Sequence, residues 1–206
     1  NIDNGSSTLD TGALTATTIT GVGDMTITGD TATFQSANST DPLLIVKNTT
    51  NDANGARMRF VKDKGAAGAD NDVAGVIEFV ADDDAQAQTT FAKITAQVAD
   101  ASNGAEGGKL SLGVATHDGE FQNGLILTDG NAEDEIDVTI GNGTSSLVTT
   151  AGDLTVTGDL IVSGDTTTVN TATMTVEDHN IVLGSGNSGS EVADATGLTL
   201  EGGSGD

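Results

Sequence analysis

The sequence predicts an all-β protein, and three observations carry that prediction. Short stretches alternate apolar and polar residues with a period of two, which sends successive side chains to opposite faces of a strand. The 28 glycines, with abundant Thr, Ser, Asn and Asp, divide the chain into short strands and many turns. A helical period is nowhere sustained: the best helical turn, Asp83 to Thr89, is short and has no stop signal. The expected architecture is an antiparallel β-sandwich or prism module flanked by repetitive β-fibre segments, triple-stranded or β-helical.

Residues 1–41 form the first expected segment, a Thr/Gly-rich β-fibre with the alternating stretches Leu14-Thr15-Ala16-Thr17 and Met25-Thr26-Ile27-Thr28. Pro42, the single proline, opens the module expected over 42–143, because proline can start a strand but cannot sit inside a central one. Strands are expected at Leu43 to Lys47, Ala56 to Lys62, Val76 to Val80, Phe91 to Ala99, Lys109 to Ala115, Leu125 to Thr128 and Ile136 to Ile140. Alternation places Met58 and Phe60 on one face of their strand and Arg57 and Arg59 on the other. Met58 and Phe60 are therefore expected to be buried, with Ile94, Val98, Leu110, Leu112, Val138 and Ile140 completing the module core. Arg57 and Arg59 form an expected ion-pairing face, with carboxylates of this chain or of a neighbouring subunit as partners.

Residues 144–183 carry the clearest repetition. GDLTVT, GDLIVS and GDTTTV follow one another from Gly152, and the related GDMTIT stands at 23–28. In the first two units Leu154, Val156, Leu160 and Val162 point one way, and Thr155, Thr157, Ile161 and Ser163 the other. So narrow an apolar stripe cannot close a core within one chain; it needs further turns of the same chain or the same segment of sister chains. These four apolar residues are the expected axial core of a β-shaft. Residues 184–206, mostly Gly, Ser and Asp, form a connector.

Composition limits what the chain can do. Five phenylalanines, Phe34, Phe60, Phe79, Phe91 and Phe121, are the entire aromatic complement, and much of the 35% hydrophobic content is Ala. A compact globule of this size buries about 70% of its unfolded surface, and little material for such a core is present. Thirty-one acidic residues against seven basic ones give a net charge of −24, which repels phosphate backbones and anionic membranes, so neither nucleic acid nor membrane insertion is expected. Five of the seven cations, Lys47, Arg57, Arg59, Lys62 and Lys64, cluster before the module's middle strands. No cysteine is available for disulfides or thiol chemistry. No stretch approaches the ~18–20 apolar residues of a membrane span. The chain starts at Asn1 in mid-pattern and ends in Gly-Ser-Gly-Asp, which reads as an excerpt of a longer polypeptide.

Candidate chemistry is sparse. Asp70-Asn71-Asp72 and Asp82-Asp83-Asp84 suggest calcium, yet an EF-hand loop beginning at Asp82 needs Glu at its twelfth position and finds Lys93. Glu133, Asp134, Glu135 and Asp137 contain carboxylates of the kind glycosidases pair, but their separation decides such a mechanism. His117 and His179 are the two histidines, far apart and without a Cys nearby. Sugar-cleaving proteins hold substrate against aromatic rings, and Trp and Tyr are absent. No catalytic, cofactor-binding or metal-ligating residue is assigned, no cofactor is expected, and the chain reads as a non-enzyme.

The run from Gly152, GDLTVTGDLIVSGDTTTVNTATMTVEDHNIVLGSG, resembles the fibre segments of tail-fibre and tail-spike-like proteins of tailed bacteriophages, especially of large marine myoviruses. The stretch ARMRFVKDKGAAGADNDVAGVIEFVADDDAQAQTTFAKITAQVADASNGAEGGKLSL resembles a β-rich module of the same proteins. The resemblance implies a virion structural protein, a shaft or connector of the tail fibre that supports host attachment, assembled as a parallel, intertwined homotrimer. It further implies contacts with other tail or baseplate proteins, and a host receptor engaged by a region outside this chain. Many such proteins end in an autoproteolytic chaperone domain, which would lie beyond this sequence. The alternative is a bacterial or archaeal cell-surface β-repeat adhesin or filament protein.

Overall fold

The computed structural model describes residues 26–29, 31–163, 167–171 and 173–177. The chain divides into two units, Asn1–Val148 and Thr149–Asp206.

The first unit is built on five consecutive strands: β1 Val73–Asp82, β2 Gln88–Asp100, β3 Gly107–Ala115, β4 Phe121–Asp129 and β5 Ile136–Ile140. Each pairs antiparallel with the next, in the spatial order β1-β2-β3-β4-β5, so the sheet is an open meander. No helix occurs among the described residues, and the protein is all-β there. Asp83 to Thr89, the best helical turn by sequence, is the β1–β2 hairpin. Its backbone closes through Asp83 N–H to the Ala87 carbonyl at 2.9 Å, and Gln86 adopts a positive φ of 64°. The Asp83 carboxylate accepts from the amides of Ala85 and Ala87, both at 2.9 Å, offering the backbone a turn in place of a helix.

Every strand from Val76 onward falls where alternation predicts it, because each has an antiparallel neighbour one tight turn away. The two earlier stretches differ. Residues 42–62 contain no strand, so the expected strands Leu43 to Lys47 and Ala56 to Lys62 are not formed. A strand exists only when a neighbour takes its N–H and C=O groups, and this stretch has no backbone partner; its hydrogen bonds are local side-chain ones such as Thr50 N–H to Asn48 Oδ1 at 2.8 Å. The described part of the second unit likewise runs without a strand.

Bulges tune the sheet. Leu112 faces Leu125 while Gly113 faces Asn123, which leaves Gly124 as the extra residue of β4, the usual meaning of a lone glycine in a strand. A second bulge falls at Phe91 of β2, where Phe79 faces Ala92 but Val80 faces Thr90.

Candidate functional site: the two faces of the sheet

Register assigns every strand residue to a face. On one face Ile77, Ile94, Leu112, Leu125 and Ile140 line up as an unbroken aliphatic row across all five strands. A second row beside it runs Gly75, Ala96, Leu110, Leu127 and Val138, and a third runs Phe79, Ala92 and Val114. Within these three rows no side chain is ionisable, in a chain whose net charge is −24. We call this the apolar face.

The opposite, mixed face carries Glu78 across from Lys93, Thr95 across from Ser111, and Asp137 across from Thr128. Its most ordered feature is a stack on Gly113. The Phe121 ring lies over the glycine so closely that a side chain there would collide with the ring and with the Gln122 carbonyl. The Lys93 ammonium sits 4.5 Å from the ring centroid, within cation–π range. Ser111, 3% exposed, and Gly113 are the two buried residues among those described, and the Ser111 Oγ has no hydrogen-bond partner.

No hydrophobic side chain is buried among the described residues. The expected module core is therefore assembled but not covered. Ile94, Val98, Leu110, Leu112, Val138 and Ile140 all lie on the apolar face, yet Leu112 at the centre of the sheet is 36% exposed and Ile140 at its edge 60%. Phe60 reaches the same face, its Cβ pressed against Gly75 where only a glycine leaves room. With Met58 it borders a groove of about 340 Å³ floored by Gly75, Ile77, Ile94 and Ala96. Among the described residues neither is buried, at 59% for Met58 and 52% for Phe60. The segment crosses one margin of a single sheet, and no described residue lies above it.

Arg57 and Arg59 make no ion pair within the described chain; the pair that forms is Lys64 to Asp72, at 2.7 Å. The acidic turns serve the backbone. Asp72 also accepts from the Ala69 amide, and these two donors, Lys64 first, hold its carboxyl below the ordinary value. Asp70 accepts from the Ala101 amide at 2.9 Å, and Glu135 from the amides of Asn131 and Ala132 at 2.6 and 2.9 Å. Thr116 holds Asp118 low by its hydroxyl in the turn that carries His117. No group of three or more metal-ligating side chains occurs among the described residues. His179 lies outside them.

In the second unit the expected axial residues Leu154, Val156, Leu160 and Val162 are all exposed, as is Ile161 on the other side of the alternation. One chain alone gives the repeat no inside. No described helix is long and apolar enough to cross a membrane.

No family model, curated protein or solved structure matches this chain.

Proposed function

We propose that this chain is a non-enzymatic structural segment of a phage tail fibre, a shaft or connector supporting host attachment, and that it works as a parallel homotrimer. The observation that carries the proposal is the absence of any buried hydrophobic side chain among the described residues. Ordering a backbone costs about 1–2 kcal/mol per residue, offset mainly by apolar burial, and a bare sheet buries too little to offset it. In this reading other chains supply the missing cover, and identical copies around one axis do so with the fewest parts. The Gly-Asp repeats, whose apolar stripe is exposed in one chain, have the same need. The resemblance of its repeats to phage fibre segments supports a place in a virion tail, where it would meet other tail or baseplate proteins.

Mass photometry of the folded protein should give three times the 20.5 kDa chain mass. A stably folded monomer at micromolar concentration would overturn the proposal. Immunogold labelling separates a virion tail from a cell surface, the site that an adhesin or filament protein would occupy.

A further inference from the structure

The geometry points to the apolar face of the β1–β5 sheet as the inner wall of a three-sided prism, closed by the same face of two further copies of this chain. This rests on the multi-copy assembly proposed above and adds which surface makes it.

Charge selects the surface. A chain of net charge −24 resists self-association wherever carboxylates would meet. Glu78, Lys93, Lys109 and Asp137 share the mixed face, whereas the three rows centred on Ile94 and Leu112 contain no ionisable group; Asp129, opposite Ile136, stands on the apolar face beyond these rows, at its margin. Copies can approach across the three rows without crowding charge, and water is excluded from them.

Width selects the number. Five strands spaced about 4.8 Å apart make a wall roughly 20–24 Å across. Three such walls set as a triangle stand roughly 6–7 Å from the common axis, close to the ~5 Å half-spacing of packed sheets. Ile94, Leu112 and Leu125 then reach the axis and fill it. Four walls would leave an open channel, which this apolar lining would not tolerate. Two copies closed flat would trap the Met58–Phe60 segment, which already lies on the face at Gly75, and would be held too far apart for their central rows to meet. In the prism that segment occupies the corner, beside the outer edges of β1 and β5, which have no strand partner among the described residues.

The chain has no cysteine, so engineered thiols report without background. Ile77 and Ile140 sit on the two edge strands of one sheet, too far apart for a disulfide, which needs Cα atoms within about 7 Å. The double variant Ile77→Cys/Ile140→Cys, treated with a bismaleimide long enough to cross the corner segment but too short to span the sheet, and run on a denaturing gel, should therefore link copy to copy and end at a covalent trimer. Ile94→Asp should abolish the trimer seen by mass photometry, while the neighbouring Thr95→Asp, on the mixed face, should leave at least nine-tenths of it. A ladder ending at dimer overturns the three-sided closure. Equal trimer content in both Asp variants overturns the choice of face even where the unmodified chain is trimeric. A monomeric unmodified chain overturns this inference and the assembly beneath it together.

Discussion

Ile140→Ala separates a covered from an uncovered apolar face by magnitude. The substitution removes three carbons, worth about 0.8 kcal/mol each when fully buried, or roughly 2.4 kcal/mol in all. Within the single chain Ile140 is 60% exposed, so only about two-fifths of that burial exists, and the loss is about 1 kcal/mol. If sister copies cover the face, the site behaves as core, and Ile→Ala costs 2–5 kcal/mol per chain. Thr139→Ala, one residue earlier on the mixed face, carries the same change of strand preference, up to about 1 kcal/mol, without the buried carbons. The assay is urea denaturation followed by circular dichroism at several protein concentrations. Ile140→Ala should cost at least about 1.5 kcal/mol more per chain than Thr139→Ala, with a midpoint that rises with concentration. Equal costs at the two positions, with midpoints independent of concentration, would refute the claim that the face is covered.

Three further outcomes are expected. Val156→Asp should lower thermal stability and trimer content near neutral pH, because three unpaired carboxylates would meet in a dry axis, while Thr157→Asp should be nearly silent; equal effects would remove the inside and outside of the repeat. Gly113→Ala should cost about 1–3 kcal/mol in chemical denaturation, since the new Cβ meets the Phe121 ring and the Gln122 carbonyl, and Gly113→Ala combined with Phe121→Ala should lose less than the sum of the two single changes. The Asp72 carboxyl, followed by NMR, should titrate below its ordinary value of about 3.9 and move back toward it in Lys64→Ala. Because its folded value is depressed, its contribution is present above the unfolded value and is lost as pH falls through the folded one.

The described sheet was largely legible in the sequence, and the reason is local. In β2 through β5 the period of two, with a turn at each end, specifies both the strand and its face, since slipping the register by one residue would invert every side chain. Ile94, Leu112, Val138 and Ile140 could thus be grouped before their partners were known. The same alternation misreads Leu43 to Lys47 and Ala56 to Lys62, because a strand needs a neighbour as well as a pattern, and these stretches find none among the described residues. It is silent on the bulges at Phe91 and Gly124 and on the Lys93–Phe121–Gly113 stack, which depend on which strand lies beside which, and on the Lys64–Asp72 ion pair, which depends on the path of the loop before β1.

By itself, the sequence determined the all-β character that the described residues display, the poverty in core-forming side chains and the strong acidity, since alternation, composition and charge need no partner to be read. Only the tertiary structure decided that Ile94, Val98, Leu110, Leu112, Val138 and Ile140 share one face of a single open meander, uncovered by any other described residue. Burial is a property of what stands opposite a face, and among the described residues nothing stands opposite Leu112.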